Sequence, residues 1–384
     1  MKNYPTFKTN KIMTTTEQPT LAQRVGARIE RARLMRGLSL RGLAEALDGK
    51  YSHTTLQKYE KGVICPDTGA LGFIARALDV RPDYFLKSNQ LKLEHVEYRK
   101  HSKLGKKAQK QVKEEAFEFF ERYLEIESIL SVPYEALPQY DLTNVSLEEL
   151  AAVIEEKALK LRKLWKVGMN PIPNVHTMLE THGVKVKILA DRDGFDGFSA
   201  FASTEGHRIP TVALSRKNAD DVKSDVTRLR FTAMHELAHL ILLLPDYLKP
   251  AEKERACHRF AGAFLIPKEV FVGIFGQNRI KISIAELVAI KEEWGLSCAA
   301  IMARARDLGL ITAGRYKTFC ILKNKWGWYK TKKEPGSWMG NEKSSRFKQM
   351  VYRALSEEVI TASKACGLLS ISSAELAESF DFVG

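Results

Sequence analysis

Apolar residues recur at helical spacing through the first ninety residues of the chain, and turn-forming residues separate the runs. The pattern predicts four short helices and a terminal turn, at Leu21–Arg36, Ser39–Leu47, Ser52–Gly62, Asp67–Leu78 and Arg81–Phe85. Ser39 and Ser52 are favourable N-caps, and Asp48-Gly49 supplies a tight turn between their helices. Short helices joined in this way predict an all-α domain with a helix-turn-helix layout.

A longer apolar stripe marks the next segment. It predicts one helix at about Leu104–Leu130, ended by Pro133 and Pro138, and a further helix follows at Leu147–Trp165. The stripe of the long helix fits a rigid connector, a dimer surface, or packing on the helix's own domain. The last of these is the simplest interpretation.

Three short strand-like runs come next, at Val184–Leu189, Phe198–Ala202 and Pro210–Leu214. They predict a small sheet beside the following helix, and therefore an α+β domain. Beyond Pro267 the pattern becomes mostly helical again, with one strand pair. The predicted elements there are helices at Ser283–Trp294 and Cys298–Leu308, strands at Phe319–Leu322 and Trp326–Tyr329, and helical segments at Arg346–Leu355 and Ile360–Phe380.

The pentad His235-Glu236-Leu237-Ala238-His239 lies inside the apolar run Phe231–Leu244. Residues four apart share one helix face, so both imidazoles can reach one metal ion while Glu236 reaches a water molecule beside it. Apolar residues almost all round the helix predict that it is buried, where polar side chains without partners are costly. The pattern therefore favours a metal site over the alternative, a set of satisfied polar groups in an ordinary core.

A catalytic zinc ion needs a third protein ligand. The next helical stretch, opened by Pro250 and closed before Pro267, offers Glu252, Glu254 and His258. Spacing alone narrowly favours Glu254 and leaves His258 as either a ligand or a neighbour of one. Glu252 also fits a solvated glutamate in the first turn of a helix, where the helix dipole favours negative charge.

The residues Thr232–Leu240, then Glu254–Ala261 and Leu265-Ile266-Pro267, resemble the ImmA/IrrE family of metallopeptidase-like proteins. Ala238 stands where that family more often has Gly, and His258 where it often has Asn. The resemblance extends upstream through several short matches, Leu161-Arg162, Pro171-Ile172, Leu179-Glu180, Gly183-Val184 and Asp196–Ser199.

This resemblance implies an α+β, zincin-like peptidase domain in which zinc (Zn2+) is bound by His235, His239 and Glu254. Glu236 is then the catalytic base and not a ligand. The group that stabilises the oxyanion stays unassigned. Three residues are candidates for it, although each fits a structural role better: Tyr247, His207 and Arg230.

The first domain resembles the Cro-like, xenobiotic-response-element (XRE) class of DNA-binding domains. The resemblance rests on Ser39–Ala44, Thr55–Gly62, Pro66, Leu71, Ile74-Ala75 and Leu78–Val80. It implies that the third helix lies in the major groove of an operator in double-stranded DNA. The residues implied to contact DNA are Ser52, His53, Thr54, Gln57 and Lys58.

The other residues of that third helix have different assignments. Leu56 and Tyr59 are assigned to the core of the domain, and Glu60 to a structural or capping role. A helical module that binds protein instead of DNA is the alternative interpretation. The complete layout, which is more informative than one short motif, favours DNA.

The charge balance supports a nucleic-acid partner. The chain has 60 Lys+Arg against 46 Asp+Glu, a formal net charge of +14, and its sequence pI is near 9.4. Attraction to phosphate and salt-dependent binding are therefore expected. The excess is concentrated in Lys87–Lys113 and in Arg315–Lys348, where Trp326, Trp328 and Tyr329 are interleaved. A charge run of this kind also fits a solvated face.

The five cysteines are scattered and contain no CxxC pair. They argue against a disulfide framework and a cysteine zinc site, and they favour a reduced, cytoplasmic compartment. The strongest apolar run, Leu237–Leu244, is too short to span a bilayer, so no membrane partner is expected. Residues 1–20 are polar and do not read as a signal peptide.

We therefore predict a multidomain protein. Its parts are an XRE-type domain at 20–88, a basic linker and long connecting helix at 89–140, a peptidase domain at 141–310, and a C-terminal strand pair and helical tail at 311–384. The predicted function is a cytoplasmic DNA-binding regulator whose zinc metallopeptidase domain cleaves a partner regulator protein. Two-fold operators further predict a homodimer. The alternative is a non-catalytic repressor or antitoxin that uses the peptidase-like fold to bind a partner.

Overall fold

The computed structural model describes residues 19–87, 92–98, 105–190, 195–204, 207–216, 226–328 and 334–379. The chain divides into two compact units, residues 1–89 and residues 90–384. In the part of the chain that the structure describes, no helix combines the length and apolar character needed to cross a bilayer. All five cysteines lie within the described residues and are free thiols.

The first unit consists of short helices, as the sequence predicts. Its elements are α1 (Leu21–Met35), α2 (Leu40–Ala46), α3 (His53–Glu60), α4 (Thr68–Leu78) and a 3-10 helix (Pro82–Leu86). The side chains of Ser39, Ser52 and Asp67 cap α2, α3 and α4, each accepting a hydrogen bond from a backbone N–H three residues on. These caps satisfy amides that the first turn of a helix leaves without partners.

One close approach fixes α1 against α3. A Cβ atom at Gly26 would lie 2.2 Å from the carbonyl oxygen of Tyr59, so only glycine fits between the two helices. Arg33 of α1 donates two hydrogen bonds to the carboxylate of Glu60, at 2.6 and 2.7 Å. This contact gives Glu60 the structural role that the sequence assigns to it. Leu56 and Tyr59 are buried in the core of the unit, as predicted.

The second unit is built on a four-stranded sheet. Its strands are β1 (Lys92–Tyr98), β3 (Lys185–Ala190), β4 (Gly197–Thr204) and β5 (His207–Arg216), in the order β1-β4-β5-β3. β4 is antiparallel to both neighbours, whereas β3 and β5 are parallel. A separate pair joins β2 (Tyr140–Asp141) to β6 (Leu242–Leu243). The three predicted strands are confirmed.

Strand β1 was not predicted, because residues 89–140 were read as a basic linker and a helix. Its sequence, Lys-Leu-Glu-His-Val-Glu-Tyr, carries charged residues of both signs and little apolar alternation. Charged residues are common on the outer strand of a sheet, where they oppose pairing with other chains. The strand therefore has the composition of an edge and lacks the hydrophobic pattern of a buried strand.

The remaining described elements of the second unit are helices. In chain order they are α5 (Lys106–Ile129), α6 (Leu147–Leu164), α7 (Val175–Thr181), α8 (Val226–Ile241), α9 (Pro250–Leu265), α10 (Lys268–Phe275), α11 (Ile284–Trp294), α12 (Cys298–Asp307), α13 (Ala313–Lys325), α14 (Arg346–Ser356), α15 (Ala362–Leu369) and α16 (Ser373–Ser379). All but α13 lie in segments for which the sequence favours helix or makes no prediction.

The predicted strand pair at Phe319–Leu322 and Trp326–Tyr329 is wrong. Residues 313–325 form helix α13, capped by the Thr312 side chain, with Phe319 buried against the core. A short apolar run does not distinguish a strand from a buried helix by periodicity alone, and here Phe319 packs into the core from a helix. Tyr329 lies outside the described residues.

The apolar stripe of the long helix α5 packs within its own unit, which was the simplest of the three interpretations. Val112, Ala116 and Phe120 share a core with Phe198 and Ala200 of β4. Further along the helix, Tyr123 and Ile126 pack with α14 and α15 in another core. Helix α8 lies against the opposite face of β4 and β5. The sheet is thus held between α5 and α8.

A buried ionisable cluster joins α7, β3, α5 and the segment that precedes α14. The Lys185 ammonium lies 2.6 Å from a carboxylate oxygen of Glu127, and the Ser344 hydroxyl donates a hydrogen bond to Glu180. Burial raises the pKa of Glu180 to about 7, although the Ser344 hydrogen bond opposes that rise. Glu180 is thus neutral in the folded chain at a pH where an exposed glutamate is charged.

The free energy of unfolding of the wild type should fall as pH rises from about 4.5 to 7. We expect this fall to be smaller in Glu180→Gln. In this window the unfolded glutamate has released its proton and the folded one still holds it, so ionisation favours unfolding. A shift from 4.5 to about 7 corresponds to on the order of 3 kcal/mol.

Urea unfolding at pH 5, 6, 7 and 8 tests this expectation. All five tryptophans lie beyond residue 160, so tryptophan fluorescence reports the second unit alone. Glu156→Gln is the matched control, because Glu156 is exposed on α6. If Glu180→Gln and Glu156→Gln follow the same pH dependence, burial of Glu180 has no such effect.

Candidate metal centre and nucleic-acid interface

Helix α8 carries the pentad into the interior. His235 and Glu236 are buried, and apolar residues of the same helix surround them in the core. The ring nitrogens Nε2 of His235 and His239 lie 3.1 Å apart, so both imidazoles point toward one place, as their spacing of four residues predicts. Two histidines oriented in this way have the arrangement that two ligands of one metal ion require.

Helix α9 brings a carboxylate to the same place. Glu254 Oε2 lies 3.3 Å from His235 Nε2, and Glu254 Oε1 lies 3.6 Å from His239 Nε2. Ligand atoms about 2.0–2.1 Å from zinc in a tetrahedral site are separated by about 3.3 Å, so these distances suit the ion. In the described residues, His235, His239 and Glu254 form the one group of donors close enough to share a metal.

His258 lies beside this cluster. Its ring is 4.4 Å from the ring of His235 and 5.8 Å from that of Phe231. Glu252, in the first turn of α9, accepts a hydrogen bond from the Lys249 backbone N–H at 2.8 Å. Of the three candidates for the third ligand, Glu254 is the one whose carboxylate lies with the two histidine nitrogens. Its role as a ligand remains a prediction.

Two residues that the sequence did not single out support the site. The Ser199 hydroxyl of β4 donates a hydrogen bond of 2.9 Å to Glu236 Oε2, and both side chains are buried. The Cys257 sulfur of α9 lies 3.7 Å from His239 Nδ1. Burial raises the pKa of the Cys257 thiol, which keeps it neutral. Partners behind a ligand fix its orientation toward the metal.

The three candidates for oxyanion stabilisation all have structural contacts. The Arg230 side chain is fully buried and donates hydrogen bonds to the carbonyl oxygens of Ile172 and Gly295, at 2.8 and 3.1 Å. The Tyr247 hydroxyl donates to the Val145 carbonyl at 2.6 Å. The His207 ring packs 5.0 Å from that of Tyr134. The role stays unassigned.

Helix α3 of the first unit presents the residues implied to contact DNA. His53, Thr54, Gln57 and Lys58 are exposed, as is Ser52, whose side chain caps the helix at the Thr55 N–H. Leu56 and Tyr59 of the same helix point into the core, so the exposed residues share the outer side of the helix. Backbone N–H groups and polar side chains at a helix start are suited to phosphates and base edges.

The basic stretches are only partly described. Lys87–Lys113 includes residues 88–91 and 99–104, which lie outside the described residues. Within Arg315–Lys348, the rings of Trp326 and Trp328 lie 5.0 Å apart, and Trp328 packs 6.2 Å from the buried Phe319. Trp328 of this stretch thus contributes to packing.

Part of each unit matches a known protein family. Residues 29–85 match the family described as helix-turn-helix, and residues 219–306 match the family described as IrrE N-terminal-like domain. The second match includes the pentad and Glu254. The chain therefore carries a helix-turn-helix domain of DNA-binding regulators and, separately, a domain of the IrrE-like peptidase family.

Curated relatives match the first unit. An uncharacterised helix-turn-helix-type transcriptional regulator from Rickettsia conorii is 46% identical over 61 residues, which are 16% of this chain and 47% of that protein. A regulator of the same description from Rickettsia prowazekii is also 46% identical over 61 residues, 16% of this chain and 45% of that protein. The chain thus spans about half the length of these relatives.

Proposed function

We propose that this protein is a DNA-binding transcriptional regulator with a zincin-like domain that binds zinc and hydrolyses a peptide bond in a partner regulator. The observation that carries the proposal is the convergence of two imidazole nitrogens and the Glu254 carboxylate, with Glu236 buried beside them. The same chain contains a helix-turn-helix domain. A regulator that both reads an operator and removes a partner protein combines these two features.

The residues of the site have distinct tasks. Bound zinc supplies Lewis acidity, which makes water a nucleophile at neutral pH and polarises the peptide carbonyl. Glu236 accepts a proton from the attacking water and delivers it to the nitrogen of the departing amine. The Ser199 hydrogen bond orients the Glu236 carboxylate, while Cys257 and the surrounding apolar residues hold His239.

The first unit binds an operator through α3. Gln57 is suited to adenine and Lys58 to guanine, whereas Ser52, His53 and Thr54 stand at the helix start, where phosphates and bases are both within reach. One such helix reads half of a two-fold operator, so the working form is a homodimer. The proposed location is the cytoplasm, in keeping with the scattered free cysteines.

Loss of the Gln57 side chain should weaken operator binding by about 1–3 kcal/mol, which is the range for one bidentate base contact. Loss of the Lys58 ammonium should also weaken binding and reduce its dependence on salt, because the interface then carries one positive charge fewer. An operator selected from random duplexes, followed by titrations at several salt concentrations, measures both effects. Lys268→Ala on α10 is a control at an exposed lysine of the second unit. Salt-independent binding, or none, would favour a protein-binding module.

Each chain should hold one zinc ion, and His239→Ala should remove it, because two remaining donors do not complete the site. His258→Asn, at a position beside the cluster, should leave the zinc content unchanged. Metal analysis after dialysis against a weak chelator measures both variants. Zinc retained by His239→Ala, or lost in His258→Asn, would contradict the proposed ligand set.

A further inference from the structure

The edge of β4 next to the candidate metal centre is occupied by the chain's own strand β1. The two strands are antiparallel, with Lys92 opposite Ser203, Glu94 opposite Phe201 and Glu97 opposite Ser199. A bulge between Glu94 and Glu97 interrupts the ladder. In the described part of the sheet β1 pairs with β4 and with no other strand.

Strand β4 is directly linked to the site. Its Ser199 hydroxyl donates the hydrogen bond that orients Glu236. Neighbouring strands lie about 4.8 Å apart, so the backbone at Glu97 passes about one strand spacing from the backbone at Ser199. An extended segment in the position of β1 therefore lies one strand away from Ser199, the residue that contacts the proposed base.

Helix geometry places the metal-binding side of α8 next to the side that faces β4. Residues advance by about 100° around a helix, which puts Leu237 on one side of Glu236 and both His235 and His239 on the other. Leu237 shares a core with Val212 and Leu214 of β5. Glu236 and Thr232, about one turn apart on α8, both lie against β4, because Glu236 accepts the Ser199 hydrogen bond and a Cβ atom at Gly197 would lie 3.2 Å from Thr232 Cγ2. The histidine side of α8 therefore adjoins the side that faces β4.

We infer that β1 occupies the place in which the peptidase binds its substrate, an extended peptide aligned antiparallel to β4. Main-chain hydrogen bonds to a sheet edge are a general way of holding such a peptide. The inference rests on the proposed peptidase function and adds a substrate class and a built-in competitor to it. Substrate binds only when β1 leaves, and β1, being tethered, competes at a high effective concentration.

The position of β1 in the chain gives this competition a consequence. The strand begins three residues after the first unit ends at residue 89. Its release frees seven residues of the segment that connects the helix-turn-helix unit to α5. A strand of seven residues, paired on one side and interrupted by a bulge, has the properties of a segment that opens locally.

A peptide-binding experiment tests the inference without metal and without cleavage. Residues 92–98 are replaced by seven alternating Gly and Ser residues, and a fluorescent peptide of residues 90–100 is titrated onto this variant and onto the intact chain in the presence of EDTA. We expect binding to the variant at least tenfold tighter than to the intact chain. The same peptide with Leu93→Pro and Glu94→Pro should bind neither, because adjacent residues of an antiparallel strand alternate between facing the partner strand and facing away, so one of the two lost N–H groups is a ladder donor.

Equal binding by the variant and the intact chain, or no binding by a folded variant, overturns the inference. If tryptophan fluorescence shows that the variant does not fold, a disulfide variant decides instead. Lys92→Cys and Ser203→Cys, introduced together in a Cys65→Ser background, join two directly opposed positions.

The oxidised form should not bind the peptide, whereas the reduced form should bind at high peptide concentration. Oxidised and reduced forms that bind alike overturn the inference. Because the assay needs no zinc, failure of the proposed peptidase function would appear as absent metal or absent cleavage, and not in this measurement.

Discussion

Replacing Glu236 by glutamine is expected to lower cleavage of the partner protein by about 10²–10⁴-fold, the range for general acid–base catalysis, while zinc stays bound. The amide of glutamine has no carboxylate to accept the proton of the attacking water. Its oxygen still accepts the Ser199 hydrogen bond, so the variant keeps the local packing. Glu236 is not among the converging donors, and the metal should therefore remain.

The partner is identified by the same variant. New protein N-termini that appear in cells making the wild type, and not in cells making Glu236→Gln, define the cleaved protein and its cleavage site. That protein is then purified and its cleavage is followed with equal amounts of both enzymes. Glu269→Gln is the matched control, because Glu269 is exposed in the first turn of α10.

An unchanged regulatory response with Glu236→Gln would contradict cleavage. It would favour a repressor or antitoxin that captures its partner on the peptidase-like fold and cuts nothing. Loss of zinc in this variant would be a different result, since it would mean that Glu236 is needed to hold the ion. The metal content of each preparation therefore has to be measured beside the cleavage rate.

Local sequence was enough to predict the elements that carry the candidate site. The spacing of His235 and His239 determines that they share a face, and Ser52 and Asp67 mark helix starts that the structure confirms. Such features depend on a few neighbouring residues. Where a segment is short and apolar, as around Phe319, local pattern fits both a strand and a helix, and packing against the rest of the fold decides.

The local sequence pattern could not predict which residues contact the side chains of the site. Ser199 reaches Glu236 from 37 residues away, and only the register of β4 against β5 turns its side chain toward α8. One signal was present: Ser199 is a polar residue between Phe198 and Ala200, which pack on the other face of the sheet. Alternation in a strand covered on both faces makes such a polar residue a candidate for a buried contact.

Replacing Arg230 by methionine should cost about 3–5 kcal/mol of unfolding free energy, the range for breaking a buried ion pair. The guanidinium is fully buried and pairs with the Glu342 carboxylate, which is itself almost inaccessible. Glu342 also accepts hydrogen bonds from the backbone N–H groups of Val175 and His176. Removal of Arg230 thus leaves a buried carboxylate at the start of α7 and detaches α8 from it.

Urea unfolding followed by tryptophan fluorescence measures the loss in the second unit. Arg353→Met is the matched control: its ion pair with Glu357 on α14 is exposed, and such pairs contribute about 0–1 kcal/mol. If the two variants lose similar amounts, the buried pair does not hold α8 as proposed.

The pH dependence separates a lost charge partner from lost packing. Burial raises the pKa of Glu342, and Arg230 opposes that rise, so removing Arg230 should raise it further. A glutamate whose folded pKa exceeds its unfolded value destabilises the fold progressively as pH rises between the two. Arg230→Met should therefore lose more stability at pH 8 than at pH 5. Arg230→Met combined with Glu342→Gln should show no such increase relative to the wild type, because position 342 then has no carboxylate to ionise.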